Sequence, residues 1–207
     1  MNWHLFAAFL LITVVLMLIP GPIVTLVVAT SVRKGIRAGL VTVMGTSCGT
    51  AVMLAVIAFG LSFILDHALS WFEMLRFLGA VYLIWLGIQA WRGAGPDAAP
   101  PPEHRTKDRI YFWRGFAVAL SNPKTIAFFT AFLPQFVDPS LPATRQLAVM
   151  CAVSVLLATA SDSSWAALAA LGRTWFMKPA RAKLLGRLSG LALIGGGIWL
   201  SLARRPV

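Results

Sequence analysis

Residues 120–129 read LSNPKTIAFF and place a proline beside a lysine inside one hydrophobic element, which spans roughly residues 110 to 137. Pro123 has no backbone N–H and its ring clashes with the preceding turn, so a helix through this stretch must break and leave carbonyls without their usual partners. Lys124 adds a full charge near the centre of the same element. Because both features are costly in hydrocarbon, this stretch is predicted to face protein or a water-filled cavity.

The composition places the chain in a membrane. Of its 207 residues, 58% are hydrophobic and 12% are charged, and the mean hydropathy is +0.80, whereas soluble domains carry about 25% charged residues. The apolar runs exceed the roughly 18 residues that a helix needs to cross a bilayer. We therefore predict an all-α integral membrane protein surrounded by lipid. The net charge of +11 comes from short loops, where membrane topology explains it, so no nucleic-acid partner is expected.

Six transmembrane segments can be drawn in a single domain, at residues 5–31, 40–65, 71–91, 111–136, 146–171 and 184–203. The first is interrupted by Pro20-Gly21-Pro22 and the fourth by Ser121-Asn122-Pro123. Residues 93–110 are rich in Gly, Pro and charge, which is typical of a solvated linker. This linker separates two three-helix repeats, residues 1–92 and 111–207.

The lysines and arginines sort by side of the membrane. Thirteen of them fall in the first, third and fifth loops: Arg33, Lys34, Arg37, Arg92, Arg105, Lys107, Arg109, Arg114, Arg173, Lys178, Arg181, Lys183 and Arg187. Four fall on the opposite face: Arg76, Arg145, Arg204 and Arg205. Because cytoplasmic loops carry the excess of basic residues, both termini are predicted to lie outside the cytoplasm.

The two halves resemble each other weakly. The sequence RFLG at residues 76–79 precedes one glycine-containing apolar run, and RLSG at residues 187–190 precedes another. Pro22 and Pro123 lie midway in the first segment of each half. Since each half has three segments, the halves must be inverted. Paired broken helices in inverted halves point to the central site of a transporter.

Asp162 is the one carboxylate that lies well inside a predicted segment. It is surrounded by hydroxyl side chains that can solvate a charge or line a polar path, namely Thr159, Ser161, Ser163 and Ser164. It is also the only intramembrane carboxylate that could neutralise Lys124. A purely structural ion pair stays open, but an intramembrane carboxylate is the expected seat of proton or cation coupling.

The second segment contains a GxxxG motif, Gly45-Thr-Ser-Cys-Gly49. Small residues at this spacing let helices approach closely, so the glycines are interpreted as packing residues. Thr46 and Ser47 could add polar contacts to a site.

Five features combine along the chain: PGP in the first segment, the glycines of the second, GAVYLIWLGIQAW in the third, GFAVALSNPKTIAFFTAFLPQFV in the fourth and the mid-segment Asp162 of the fifth. In these features the chain resembles the LysE/RhtB-type amino-acid exporters. The resemblance covers nearly the whole chain, and the NPK motif is its most specific part.

The resemblance implies a small carrier of the cell inner (plasma) membrane that exports amino acids or close derivatives, driven by the proton gradient. The positions that match the family are Pro20, Gly21, Pro22, Asn122, Pro123, Lys124 and Asp162. In the leading hypothesis, Lys124 holds the carboxylate of a zwitterionic substrate, and Asp162 holds its ammonium or carries the proton. Ser161 and Thr46 complete the predicted substrate-binding and coupling site.

Two other classes of membrane protein stay open as alternatives. One is a thiol–disulfide electron carrier that uses Cys48 and Cys151, although neither lies beside a charge or proline that would activate it. The other is a divalent-metal exporter, although a single carboxylate facing Lys124 is a poor cation site. The chain is not expected to be an enzyme or to bind a cofactor or a metal. The sequence leaves open whether two copies form a homodimer.

The charge asymmetry gives a test of topology. A reporter that is active only in the cytoplasm, fused at Val207, is expected to stay silent, because the basic loops hold the opposite face in the cytoplasm. A strong cytoplasmic signal from this fusion would overturn the six-segment arrangement with both termini outside.

Overall fold

The computed structural model describes residues 1–18, 20–67, 69–92, 108–172 and 179–202. The regular elements in these ranges are helices: α1 (Trp3–Leu18), α2 (Pro22–Lys34), α3 (Ile36–His67), α4 (Leu69–Arg92), α5 (Asp108–Leu120), α6 (Pro123–Phe132), a 3-10 turn (Leu133–Phe136), α7 (Ala143–Leu171) and α8 (Pro179–Leu202). Most of the predicted linker, residues 93–107, lies outside the described residues, as do Arg173, Lys178, Arg204 and Arg205. Residues 108–110 were predicted as linker but are already helical, because α5 begins at Asp108.

Broken helices lie where the proline motifs predict them. α1 and α2 are bent by 46° about Pro20 and Gly21, and α5 and α6 by 43° about Asn122. α3 and α7 are each long and apolar enough to cross a membrane alone, and each bent pair meets the same standard as one span. The all-helical architecture is thus confirmed for the described residues, and the apolar helices are consistent with a membrane protein. The six-span inverted repeat stays a prediction, since α4 contributes only a shorter apolar stretch, Ala80–Gln89.

Glycines let α3 and α5 approach until their backbones touch. A Cβ on Gly49 would lie 2.5 Å from the Phe116 carbonyl oxygen, and one on Gly45 would overlap the Phe112 carbonyl oxygen. From the other side, a Cβ on Gly115 would overlap the Thr42 carbonyl oxygen. The predicted packing role of the GxxxG motif is therefore confirmed. This contact fixes the polar face of α3 against the rest of the bundle.

α4 and α8 form a second close pair through glycines. A Cβ on Gly87 would lie 2.6 Å from the Gly190 carbonyl oxygen, and a Cβ on Gly197 would lie 2.8 Å from that of Ala80. The partner residue moves backward along α4 as the chain advances along α8, so the two helices run antiparallel.

An aromatic core surrounds α6. Phe128, Phe129 and Phe132 are all buried. The Phe132 ring stacks on Trp199 of α8 with centroids 5.3 Å apart, and Phe9 of α1 meets Phe136 edge to face at 5.7 Å. These contacts pack the end of the broken helix α5–α6 against α1 and α8.

Polar contacts define the two ends of the bundle. At one end, Asn2 donates to the Asp138 carboxylate at 3.4 Å, and the hydroxyl and amide of Ser140 hold the pKa of Asp138 below its usual value. At the other end, Arg37 and Asp108 form an exposed ion pair at 2.9 Å. The N-terminus therefore shares an end with the loop before α7, and the start of α3 shares the opposite end with the start of α5. The predicted topology requires this relative placement.

The backbone contact between α3 and α5 can be tested with two glycines of α3, one that lies at the contact and one that lies away from it. Gly45→Ala should destabilise the protein by about 1–3 kcal/mol, because the added methyl group meets the α5 backbone, which cannot give way cheaply. Gly60→Ala is the matched control, since nothing lies within 4 Å of a Cβ there. It should be neutral or stabilise by about 0.5–1 kcal/mol. Thermal unfolding in detergent measures both, and equal stability of the two variants would contradict the close approach.

Candidate functional site

The first helix break presents carbonyl acceptors to neighbouring helices. Pro20 has no N–H, so the carbonyl of Leu16, four residues earlier, loses its usual helical donor. The Lys124 ammonium takes this place and donates to the Leu16 oxygen at 3.1 Å. The hydroxyl of Ser161 donates to the next carbonyl, that of Met17, at 3.3 Å. Donors from α6 and α7 therefore satisfy the Leu16 and Met17 carbonyls at the carboxyl end of α1.

The second break is satisfied by its own residues. The carbonyl of Ala119, which Pro123 deprives of a donor, accepts from the Asn122 backbone N–H at 3.2 Å. The Asn122 side chain caps α6 by accepting from the Lys124 N–H at 3.2 Å, and it donates to the Thr125 hydroxyl at 2.7 Å. This cap starts α6 abruptly and places Lys124 in its first turn.

The Lys124 side chain crosses from α6 to the first break. Only 7% of the residue is exposed. Its path runs against Gly21, where a Cβ would lie 3.0 Å from Lys124 Cδ and 3.4 Å from Nζ. A larger residue at position 21 would press on the lysine stem, so Gly21 makes room for the crossing.

Asp162 lies on α7 beside the polar face of α3 and is 7% exposed. Its Oδ2 accepts from the Thr46 hydroxyl at 3.1 Å, and the same hydroxyl lies 3.0 Å from the Val43 carbonyl oxygen. Next to them, the hydroxyls of Ser47 and Thr159 share a hydrogen bond of 2.7 Å. The buried carboxylate therefore lies where two helices supply hydroxyl groups.

Both charged groups line one small cavity of about 50 Å³, formed by Leu16, Met17, Gly21, Ile23, Val24, Thr50, Asn122, Lys124, Thr125, Phe129, Ala158 and Asp162. The lining contains one ammonium and one carboxylate, and the two charges attract each other. The cavity volume is far below the roughly 300–1,000 Å³ of typical small-molecule pockets.

The predicted site residues converge on this cavity. Gly21, Asn122, Lys124 and Asp162 line it, whereas Thr46 and Ser161 hold groups at its edge. The three prolines, at 20, 22 and 123, form the breaks that open it. Sequence reasoning missed Thr50 and Thr125. Thr50 follows Thr46 by one helical turn on the same face, a spacing that could have signalled it.

A larger space of about 380 Å³ lies between α3 and α7 but lacks the chemistry of a site. Its lining is apolar apart from Thr144 and Cys151, and it contains no charged residue. Cys151 is buried there and donates to the Leu54 carbonyl at 3.7 Å. The small charged cavity is therefore the better candidate.

The model of one protein family, described as LysE type translocator, matches residues 14–204 of this chain. The chain belongs to the LysE type translocator family. This membership agrees with the resemblance seen in the proline and NPK motifs, and the match covers both helix breaks and the charged cavity.

Several known proteins are similar to this chain along most or all of their length. The homoserine/homoserine lactone efflux protein of Salmonella typhimurium is 31% identical over 205 residues, which cover 99% of each chain. The leucine efflux protein of Klebsiella pneumoniae is 26% identical over 198 residues, covering 92% of this chain and 91% of that one. An uncharacterized membrane protein of Vibrio cholerae is 30% identical over 205 residues. No solved structure matches the chain.

The hydrogen bond from Thr46 to Asp162 generates a test of the site. Thr46→Val keeps the shape of the side chain but removes a donor to a buried charge, which is worth about 1.5–3 kcal/mol. Transport should therefore fall by roughly tenfold or more. Thr42→Val is the matched control, because Thr42 is buried on the same helix and its hydroxyl donates to the Ala38 carbonyl of its own helix. Initial transport rates at equal abundance decide the matter, and an equal loss in both variants would remove Thr46 from the site.

Proposed function

We propose that this protein is a secondary transporter that exports an amino acid or a close derivative across the inner membrane, coupled to protons. The observation that carries the proposal is the cavity at the two helix breaks, which one buried ammonium and one buried carboxylate face. A zwitterionic amino acid presents the complementary pair of charges. Neither Lys124 nor Asp162 has another charge of its own sign in the cavity lining.

The cost of burying these groups supports a functional role. A charge near the centre of a bilayer costs at least about 2.5 kcal/mol on insertion scales. A pair of well-packed apolar residues would often be as stable as a buried ion pair. The retention of both charges beside a cavity therefore favours a working site over a structural pair.

The relatives support the substrate class. The names of two of them specify homoserine, homoserine lactone or leucine, and all three compounds carry an α-amino group. Their side chains differ in polarity and shape. We therefore place recognition of the shared α-amino group in the charged cavity and leave the identity of the side chain open.

The proposal includes the inverted three-helix repeats, residues 1–92 and 111–207, with both termini outside the cytoplasm. It is supported by the meeting of the two breaks at one cavity and by the antiparallel pairing of α4 with α8. Asp162 takes the coupling role in this scheme, because it is a carboxylate that can exchange a proton when the cavity opens to either side.

The two alternative classes have less support. A divalent cation needs several oxygen or nitrogen ligands, and the described part of the chain contains no group of three His, Cys, Asp or Glu side chains that could hold a metal. A thiol carrier would need two reactive cysteines, but Cys48 is exposed and Cys151 is buried in apolar surroundings, and neither forms a disulfide.

Coupling can be tested with Asp162→Asn in proteoliposomes, with and without an imposed pH gradient. This variant should keep near-normal abundance but lose gradient-driven export, because asparagine cannot take up and release a proton. Exchange of substrate down its own gradient should survive. Asp138→Asn, which changes a carboxylate in the loop before α7, is the control and should transport normally. Gradient-driven export by Asp162→Asn at the normal rate would remove Asp162 from the coupling role.

The double variant Lys124→Met with Asp162→Leu separates a working pair from a structural one. Lys124→Met alone should weaken binding of L-leucine or L-homoserine by about 10- to 100-fold, the equivalent of one lost charge-assisted hydrogen bond. The double variant should regain stability without transport. Recovery of both stability and transport would show that the pair serves only the fold.

A further inference from the structure

The two helix breaks differ in the source of their hydrogen bonds. At the second break, the carbonyl freed by Pro123 is satisfied from within the same segment by the Asn122 N–H. At the first break, the carbonyls of Leu16 and Met17 depend on Lys124 and Ser161, which come from other helices. The first break is therefore an acceptor site that is open to exchange of its donor.

This acceptor site suits a cation. The carboxyl end of α1 carries the negative end of the helix dipole, and the proline at position 20 leaves the Leu16 carbonyl without a helical donor. Asp162 faces the same cavity and adds a full negative charge. The Lys124 ammonium now occupies this position at 3.1 Å from the Leu16 oxygen.

The volume of the cavity makes the lysine and a substrate mutually exclusive. About 50 Å³ remains beside the Lys124 side chain, which is too little for a whole amino acid. The lysine stem can rotate, whereas Gly21 has no side chain that could move aside to make room. Substrate entry therefore requires the Lys124 ammonium to leave the Leu16 carbonyl.

We propose that the Lys124 ammonium takes, in the empty carrier, the place that the α-ammonium group of the substrate takes in the loaded carrier. In the empty carrier, the Lys124 ammonium occupies the subsite made by the Leu16 carbonyl and the Asp162 carboxylate. When substrate enters, its own ammonium takes this subsite and Lys124 turns to the substrate carboxylate. The inference rests on the proposed function, since it needs an amino-acid substrate.

This exchange has a consequence for the transport cycle. In the loaded carrier, and in the empty carrier until Asp162 takes up its proton, the Asp162 carboxylate faces a cation, so it is not left buried without a neutralising partner. The return of Lys124 to the Leu16 carbonyl also displaces the substrate. The lysine thereby favours release as well as recognition.

Lys124→Ala with added ethylammonium tests the subsite directly. Removal of the lysine vacates both its volume and its acceptors, so ethylammonium should bind and raise the melting temperature of the purified variant by about 2–4 °C. Wild-type protein should show no shift, because its own lysine fills the subsite. Lys183→Ala, which removes an exposed lysine of α8, is the matched control and should also show none. Ethanol, which is similar in size but uncharged, should not stabilise Lys124→Ala.

Competition then tells whether the substrate uses the same subsite. Ethylammonium should weaken the residual binding of L-leucine or L-homoserine to Lys124→Ala by several-fold, because two ammonium groups need one place. If ethylammonium strengthens that binding, it merely replaces a lysine that stays in position, and the proposal is wrong. Absence of any thermal shift in Lys124→Ala would overturn it as well.

A second variant covers the case in which Lys124→Ala does not fold. Lys124→Met keeps most of the side-chain volume and vacates little more than the ammonium head, so it should gain affinity for methylammonium while it loses affinity for the two amino acids. Loss of both affinities would contradict the exchange. Normal amino-acid binding by wild-type protein without any amine response in the variants would reject this inference alone. Failure of the wild-type protein to bind or export any amino acid would instead reject the proposed function.

Discussion

The hydrogen bond from Lys124 to the Leu16 carbonyl is the interaction on which the rest of the site depends. It exists because Pro20 cannot supply the N–H that would otherwise satisfy that carbonyl. A buried carbonyl without a donor is costly in a membrane, and so is a buried ammonium without an acceptor. The bond, at 3.1 Å, gives the carbonyl a donor and the ammonium an acceptor, and it links the two broken helices at the cavity.

The glycine contact between α3 and α5 provides the frame for this bond. Backbone contact at Gly45 and Gly49 holds α3 tightly against the segment that leads into the second break. Thr46, between these glycines, can then reach Asp162 on α7. α3 therefore packs against α5 through its glycines on one side and presents the Thr46 hydroxyl to the buried carboxylate on another. One short motif, residues 45–49, supplies both contacts.

The two breaks have different functions in this arrangement. At the second break, Asn122 satisfies the Ala119 carbonyl and the Lys124 N–H locally. The first break depends on side chains from elsewhere, and a side chain can be displaced at far lower cost than a backbone segment. We therefore propose that transport chemistry is centred on the first break and that the second break positions the lysine. The match to the LysE type translocator family spans both breaks.

Much of this protein follows from its sequence alone. Continuous apolar runs dictate helices in a membrane, prolines in the PGP and SNP motifs dictate where two of them break, and the small size of Gly45 and Gly49 permits close packing. These are local or compositional effects, so no tertiary information is needed. Lys124 and Asp162 also stand out, because charges are rare inside such segments. Tertiary structure alone decided which groups meet: Lys124 reaches Leu16 across 108 positions and Thr46 reaches Asp162 across 116. Such partners depend on how the helices rotate and cross, and that is set by the sum of many packing contacts, which no single stretch of sequence encodes.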